Sequence, residues 1–301
     1  MAEPEPGYVR LGREELAARA ARARGMLEHC CLCARRCGVN RLAGERGACR
    51  AGAGPVVSSF GPHFGEEPPL VGSGGSGTIF FTWCNLRCVF CQNAEISQEG
   101  QGEEVSVEAL AGMMLQLAAR GCHNVNLVSP THQVPAILEA LVIAAGRGLR
   151  LPLVYNTGGY DARETLEVLD GIVDIYMPDC KYGDDAVGLR YSGIPDYWTR
   201  NREAVAEMHR QVGDLVMVDG LARRGLLVRH LVLPGGLAGA ERVMEFLAAL
   251  SRDTYVNVMA QYRPCYRAGA FPELSRRPTP EEYQQAMAAA RQAGLWRLEG
   301  G

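Results

Sequence analysis

Apolar runs of strand length recur along the chain, at residues 78–82, 124–128, 153–155, 173–177, 226–233 and 255–259. Between them the apolar positions return every three or four residues, the spacing of a helix with one buried face. Ser106 stands as N-cap before Val107, Leu110, Met114 and Leu117 on one such face, and Gly121 follows as the stop. Asp161 with Glu164 reads as a capping box for a short helix. Further helical patterns cover 134–145, 202–212 and 240–250. A last helix opens on Thr279, Pro280 and Glu282, which are N-cap, N1 proline and capping-box glutamate. Six strands alternating with six helices predict an α/β fold, a parallel sheet with helices outside it. In such folds reactive groups gather at the carboxyl ends of the strands.

Ahead of the first strand the pattern differs. A charged helix is expected through residues 11–27, followed by a cysteine-rich, glycine-rich loop over 30–54. A connection with Pro55, Pro62, Pro68 and Pro69 and a Gly-Ser run at 72–77 come next. That shift in composition places a domain boundary near residue 74, giving an N-terminal segment 1–73 and a larger domain 74–301.

At 301 residues the chain can hold one large α/β domain and a small appendage, and 47% hydrophobic with 22% charged residues excludes disorder. No apolar run is long enough to cross a membrane, and MAEPEPGYVR has no apolar signal region, so the cytoplasm is the expected compartment. The net charge of −3 implies no strong electrostatic partner, but residues 1–50 hold ten arginines against six glutamates. This bias fits either the solvated face of the first helix or a contact with an acidic protein or nucleic acid.

Eleven cysteines are many for such a chain, and a disulfide framework belongs to short secreted proteins. Eight fall in two clusters, Cys30, Cys31, Cys33, Cys37 and Cys49, then Cys84, Cys88 and Cys91. The second cluster, a CxxxCxxC run directly after the first strand, offers three thiolates from one tight loop. A four-iron cluster bound by three cysteines keeps one iron open, and an open coordination position marks a site that does chemistry.

The stretch Cys-Asn-Leu-Arg-Cys-Val-Phe-Cys-Gln-Asn resembles the radical S-adenosylmethionine (SAM) superfamily. It is similar to pyruvate formate-lyase activating enzymes and to their uncharacterised relatives with an N-terminal cysteine block. With the latter the likeness runs from about Cys30 to Leu298 and includes YNTGGY, DIYMPDCKY, RHLVLPG and VNVMAQYRP. The resemblance implies a partial (β/α)6 barrel with a small cysteine-rich N-terminal segment, and a [4Fe-4S] cluster on Cys84, Cys88 and Cys91. It also implies that SAM binds the open iron and is cleaved by one electron to methionine and a 5′-deoxyadenosyl radical, which removes hydrogen from a substrate. The electron would come from a donor such as flavodoxin or ferredoxin.

The same resemblance assigns SAM contacts. Phe90 would pack on the adenine, and Asn156, at the end of the third strand, would meet the ribose. Asp179 and Lys181 match an Asp-x-Lys that takes the ammonium or ribose and the carboxylate. The superfamily's Gly-Gly-Glu is absent. Ser129 and Thr131 stand in its place, with hydroxyls or carbonyls able to accept from the ammonium. Arg229 and His230 interrupt an apolar strand and must point to opposite faces. Tyr182, Tyr191, Tyr197 and Trp198 either wall a substrate or pack their loop, and Gln261 and Tyr262 follow the sixth strand at the mouth.

Cys30, Cys33, Cys37 and Cys49 suit a closed Zn2+ site or a second iron–sulfur cluster, and Cys31 competes with Cys30. Three functions stand against one another. The first is a radical SAM enzyme acting on a protein or peptide, as the glycyl-radical activators do. The second is one acting on a small molecule, and the third is a non-catalytic iron–sulfur or zinc-binding module. Nucleic acid is not an expected partner.

Overall fold

The computed structural model describes residues 4–300. Its strands are β1 (Val56–His63), β2 (Ser76–Phe81), β3 (Glu103–Glu104), β4 (Val125–Val128), β5 (Leu153–Thr157), β6 (Ile175–Pro178), β7 (Val216–Val218), β8 (Leu221–Leu231), β9 (Tyr255–Met259) and β10 (Leu298–Glu299). The α-helices are α1 (Gly7–Leu11), α2 (Arg13–Gly25), α3 (Pro68–Val71), α4 (Ala94–Ser97), α5 (Val107–Ala119) and α6 (Val134–Gly146). They continue with α7 (Arg163–Leu169), α8 (Asp185–Ser192), α9 (Tyr197–Val212), α10 (Ala240–Leu250) and α11 (Pro280–Gln292).

The sheet order is β10-β9-β8-β6-β5-β4-β2-β1-β3. From β2 to β10 every pairing is parallel, as the alternation of strands and helices predicts. The edge strands β3 and β10 do not pair, so the sheet stays open, a partial barrel. All six predicted strands are present, with ends displaced by up to five residues. The largest displacement is in β8, whose first residues form an antiparallel hairpin with β7. Asp219 (φ 51°) and Gly220 (φ 80°) make that turn, an Asp-Gly signal for tight hairpins. Also unforeseen was β1, antiparallel to β2 across a proline-bearing stretch.

Period-two alternation decides what each face holds. Ile79, Leu127, Tyr155, Tyr176, Val228 and Val256 lie on the outer face, in the apolar core shared with the helices. Leu70 of α3 packs with Val154, Ile175, Met177 and Leu227 on the inner face and closes its floor. Above that floor the inner positions turn polar, with Asn126, Asn156, Asp179, Arg229 and Asn257. Purely buried parallel strands are normally apolar on both faces, so this polar lining calls for a ligand.

Local signals mostly hold. Ser106 accepts from Ala109 N (3.1 Å), and the capping box of Thr279 and Glu282 forms at α11. The capping box predicted at Asp161 and Glu164 does not form. α7 starts after Ala162 without a side-chain cap, because Asp161 is buried and accepts hydroxyls from Thr131, Tyr155 and Thr157 instead. The first helix is broken at Gly12. The arginines of α2 reach neighbouring helices, Arg24 pairing with Glu139 of α6 and Arg22 with Glu167 of α7, so this part of the basic bias is used within the fold. No helix among the described residues is long and apolar enough to cross a membrane.

Two buried histidines set an acid limit. Burial pushes His132 and His230 down to about 4, although each ring bonds a carbonyl, Thr82 O and Cys180 O respectively. A base whose folded pKa is depressed stays neutral in the fold while the unfolded chain binds the proton. Stability from these groups is present above about 6.5 and is lost as pH falls toward 4. Urea midpoints should drop over that window, and His230→Gln should flatten part of the drop. An unchanged slope in the variant would show that His230 titrates freely in the fold.

Candidate active site

Three buried or half-buried thiols sit on the loop that leaves β2. Trp83, just before Cys84, takes φ 71°, a left-handed turn that throws the chain across the carboxyl ends of the strands. The loop is then pinned from four directions. Arg35 of the N-terminal segment donates to Asn85 O (2.7 Å), and Asn85 donates to Tyr160 O after β5 (2.9 Å). Val89 N donates to Tyr191 O of α8, and Val89 O accepts from Arg267 N, both at 2.8 Å.

Each thiol has a polar neighbour. Leu86 N donates to Cys84 Sγ (3.4 Å), Ser192 donates to Cys88 Sγ (3.0 Å), and Cys91 Sγ pairs with Ser97 Oγ (3.1 Å). Burial pushes the Cys84 thiol up to about 12, and the nearby Cys88 and Cys91 add to the rise. Burial raises Cys88 too, while Lys181 opposes the rise. Three crowded sulfurs, with burial opposing ionisation at Cys84 and Cys88 and a hydrogen-bonding neighbour at each, are the donor set an iron cluster needs. Among the described residues no group of three or more His, Cys, Asp or Glu side chains is disposed to hold a single metal ion.

Across the mouth stands a buried charge network. Asp179 accepts from Lys181 Nζ at 2.5 Å and from Arg229 Nε at 2.9 Å. Arg229 also donates to Asn156 Oδ1 (2.7 Å) and lies 3.7 Å from Glu67. Burial opposes the charge on Asp179, yet Arg229 and Lys181 together hold its carboxyl below the usual range. Behind it, Tyr197 donates to Asp179 O and Gly158 O. Gly159 (φ 73°) fits there for want of a Cβ, which would lie 2.4 Å from Asp179 O.

The sequence candidates fall into distinct places. Asn156, Asp179 and Lys181 come together, and Arg229 joins them while His230 turns to the outer face. Ser129 takes φ 56°, a strained turn where the superfamily pattern has glycine. Thr131 is buried and donates to Asp161 (2.7 Å). Phe90 is buried edge-on to Tyr182 and Tyr262. Tyr182, Tyr191 and Tyr197 are core residues that pack the loop, and Trp198 packs on Phe246. Tyr262 is buried and Gln261 exposed. Sequence reasoning missed Glu66 and Glu67, which the proline-rich connection brings onto Asn126 and Asn257. A pair of acids beside Pro68 and Pro69 was the only available signal.

In the N-terminal block Cys30, Cys33 and Cys49 are buried and Cys37 is exposed. Burial pushes Cys33 up to about 12, and Cys49, Cys37 and Cys30 lie close enough to add to it. Cys31 is raised by burial, then by Glu164 and by the neighbouring Cys30. Cys33 also bridges to Asp161, which ties the block to the end of β5.

The sequence model of the Radical SAM superfamily matches residues 78–222, the span from β2 into β8. An uncharacterized protein of Methanocaldococcus jannaschii is 33% identical over 282 residues, 91% of this chain and 77% of the relative. The chain belongs to the radical SAM superfamily. Among solved structures, a radical SAM methyltransferase from Sphaerobacter thermophilus is 16% identical over 75% of this chain and 67% of its own, with a TM-score of 0.47. SuiB of Streptococcus suis, solved with its precursor peptide SuiA, is 11% identical over 73% of this chain, with a TM-score of 0.49. This chain spans 47% of the SuiB chain. Membership implies an enzyme that uses a [4Fe-4S] cluster, SAM and a reductant.

Proposed function

We propose that this radical SAM enzyme abstracts hydrogen from a protein or peptide, in the manner of the pyruvate formate-lyase activating enzymes. Cys84, Cys88 and Cys91 hold the cluster. With SAM bound, the cofactors supply reductive cleavage of SAM to methionine and a 5′-deoxyadenosyl radical. One observation carries the reading: the triad loop faces the Asp179–Lys181 pair, with Lys181 close enough to Cys84 and Cys88 to favour their thiolates. In that frame Lys181 and Arg229 receive the carboxylate of SAM, and Asp179 and Asn156 take its ammonium or ribose. Ser129 is better placed than Thr131 for the ammonium, because Thr131 is buried with its hydroxyl between Asp161 and Thr157. Phe90 bounds the adenine. Buried walls around this network exclude water from the reacting centre.

The division at residue 74 is then one of labour. Residues 1–73 contain a metal-binding segment in which Cys30, Cys33, Cys37 and Cys49 hold Zn2+ or, second in preference, another iron–sulfur cluster, while β1 of the same stretch joins the sheet and α3 packs against it. Residues 74–301 carry the chemistry, and flavodoxin or ferredoxin serves as the electron donor. Anaerobically reconstituted protein given SAM and dithionite should yield methionine and 5′-deoxyadenosine. Product no higher than that of a Cys84→Ala control would sink the catalytic reading.

A further inference from the structure

The outer side of the triad loop takes no part in the site above, and neither does Arg50 at the end of the N-terminal block. They meet in one groove of about 670 Å3. Arg50, next to Cys49, forms one wall, and Arg87 and Val89, on either side of Cys88, form the floor. Arg190 and Arg267 complete a set of four arginines against one carboxylate, Glu99. Arg190 is paired with Glu273 at 2.6 Å, which leaves three. Arg50 lies 5.7 Å over Trp83 and Arg267 lies 5.0 Å over Tyr266, contacts that orient a guanidinium without neutralising it.

Apolar groups stand among these charges. Leu189 is 55% exposed and Tyr266 41% exposed, and Tyr266 is held at φ 51°, where bulky residues are rare. Tyrosine and arginine around an exposed aliphatic group is the composition of a protein-binding surface.

We propose that this groove docks an acidic one-electron carrier protein and is the port through which the cluster is reduced. The inference rests on the SAM-cleaving reading above. The groove floor is the ligand loop itself, since Val89 is hydrogen-bonded on both sides to the groove's own flanks. A carrier seated there is separated from Cys88 by one residue of backbone. Charge selects the occupant: the chain is net −3, so an acidic partner is repelled elsewhere and drawn to this patch. A nucleic acid is disfavoured, because it needs a basic field over a whole face and gains little from Leu189. In the transfer the carrier's reduced centre loses one electron and the cluster gains it, with no group exchanged.

The test uses full-length, cluster-loaded protein with a reduced flavodoxin as probe. Dissociation constants are measured by calorimetry at low and moderate salt for wild type, Arg87→Glu/Arg267→Glu and Arg87→Lys/Arg267→Lys. Charge reversal should weaken binding by about tenfold or more, with the lysine variant near wild type and wild-type affinity falling as salt rises. Reduction by flavodoxin should slow in the reversed variant while reduction by dithionite does not. Equal flavodoxin affinity in all three proteins, with unaltered thermal melts, overturns the groove. So does a groove that captures a single-stranded oligonucleotide and not flavodoxin. If dithionite supports no SAM cleavage in wild type, the catalytic reading fails separately, and the binding constants still judge the surface.

Discussion

Asp179→Asn should weaken SAM binding by at least about tenfold and destabilise the fold, while iron content stays at the wild-type level. Asp179 is the one carboxylate among the described residues bonded to both Lys181 and Arg229, and the three side chains are 12%, 20% and 18% exposed. Removing one partner of a fully buried ion pair costs about 3–5 kcal/mol, and the partial exposure of Lys181 and Arg229 sets the cost here below that. Two cations are left here, and Glu67, 3.7 Å from Arg229, compensates only one of them. The amide keeps the shape of the carboxylate, so lost affinity reports lost charge. Asn156→Ala is the gentler companion, since it strips one acceptor from Arg229 and leaves the ion pairs standing. The measurements are equilibrium SAM binding to cluster-loaded protein, iron per chain, and urea midpoints. Unaltered SAM affinity in both variants would mean that this network is structural and that SAM binds elsewhere.

Cys33→Ser should lower the yield of folded protein and release the metal proposed for the N-terminal cysteines. Cys33 is buried, lies close to Cys30, Cys37 and Cys49, and bridges by its backbone to Asp161. A tetrahedral site that loses one thiolate loses the free energy that metal binding contributes to folding. The neighbouring Arg35 holds Asn85 O, so disorder in the block also removes one of the four pins on the triad loop. In the protein that survives, the triad's visible spectrum should persist with weaker retention on dilution. Metal analysis of the wild type separates the two versions of the block: about one zinc and four irons per chain, or about eight irons and no zinc. Normal metal content and stability in Cys33→Ser would show that these cysteines are not ligands.

Much of this molecule is written locally. The alternation of apolar runs and helical periodicities specifies the parallel sheet from β2 to β9, since a strand that needs a crossover has few other ways to bury its faces. The spacing of Cys84, Cys88 and Cys91 is likewise local, because one loop supplies all three thiols, and Thr279-Pro280-Glu281-Glu282 caps its helix wherever that helix lies. What the sequence could not show is long-range. Asp161 looked like a helix cap because its nearest chain neighbours are helical, but burial gave it Thr131, Tyr155 and Thr157 as stronger partners. Arg229 was ambiguous until the register of β8 against β6 set it beside Asp179. Glu66 and Glu67 lay in a stretch read as linker, and only the passage of α3 beneath the sheet carries them to the inner face. The sequence by itself determined the elements and the cysteine loop after β2. Tertiary packing decided which charges share one buried space, because pairing across that space depends on register and on burial, and neither leaves a periodic trace in the chain.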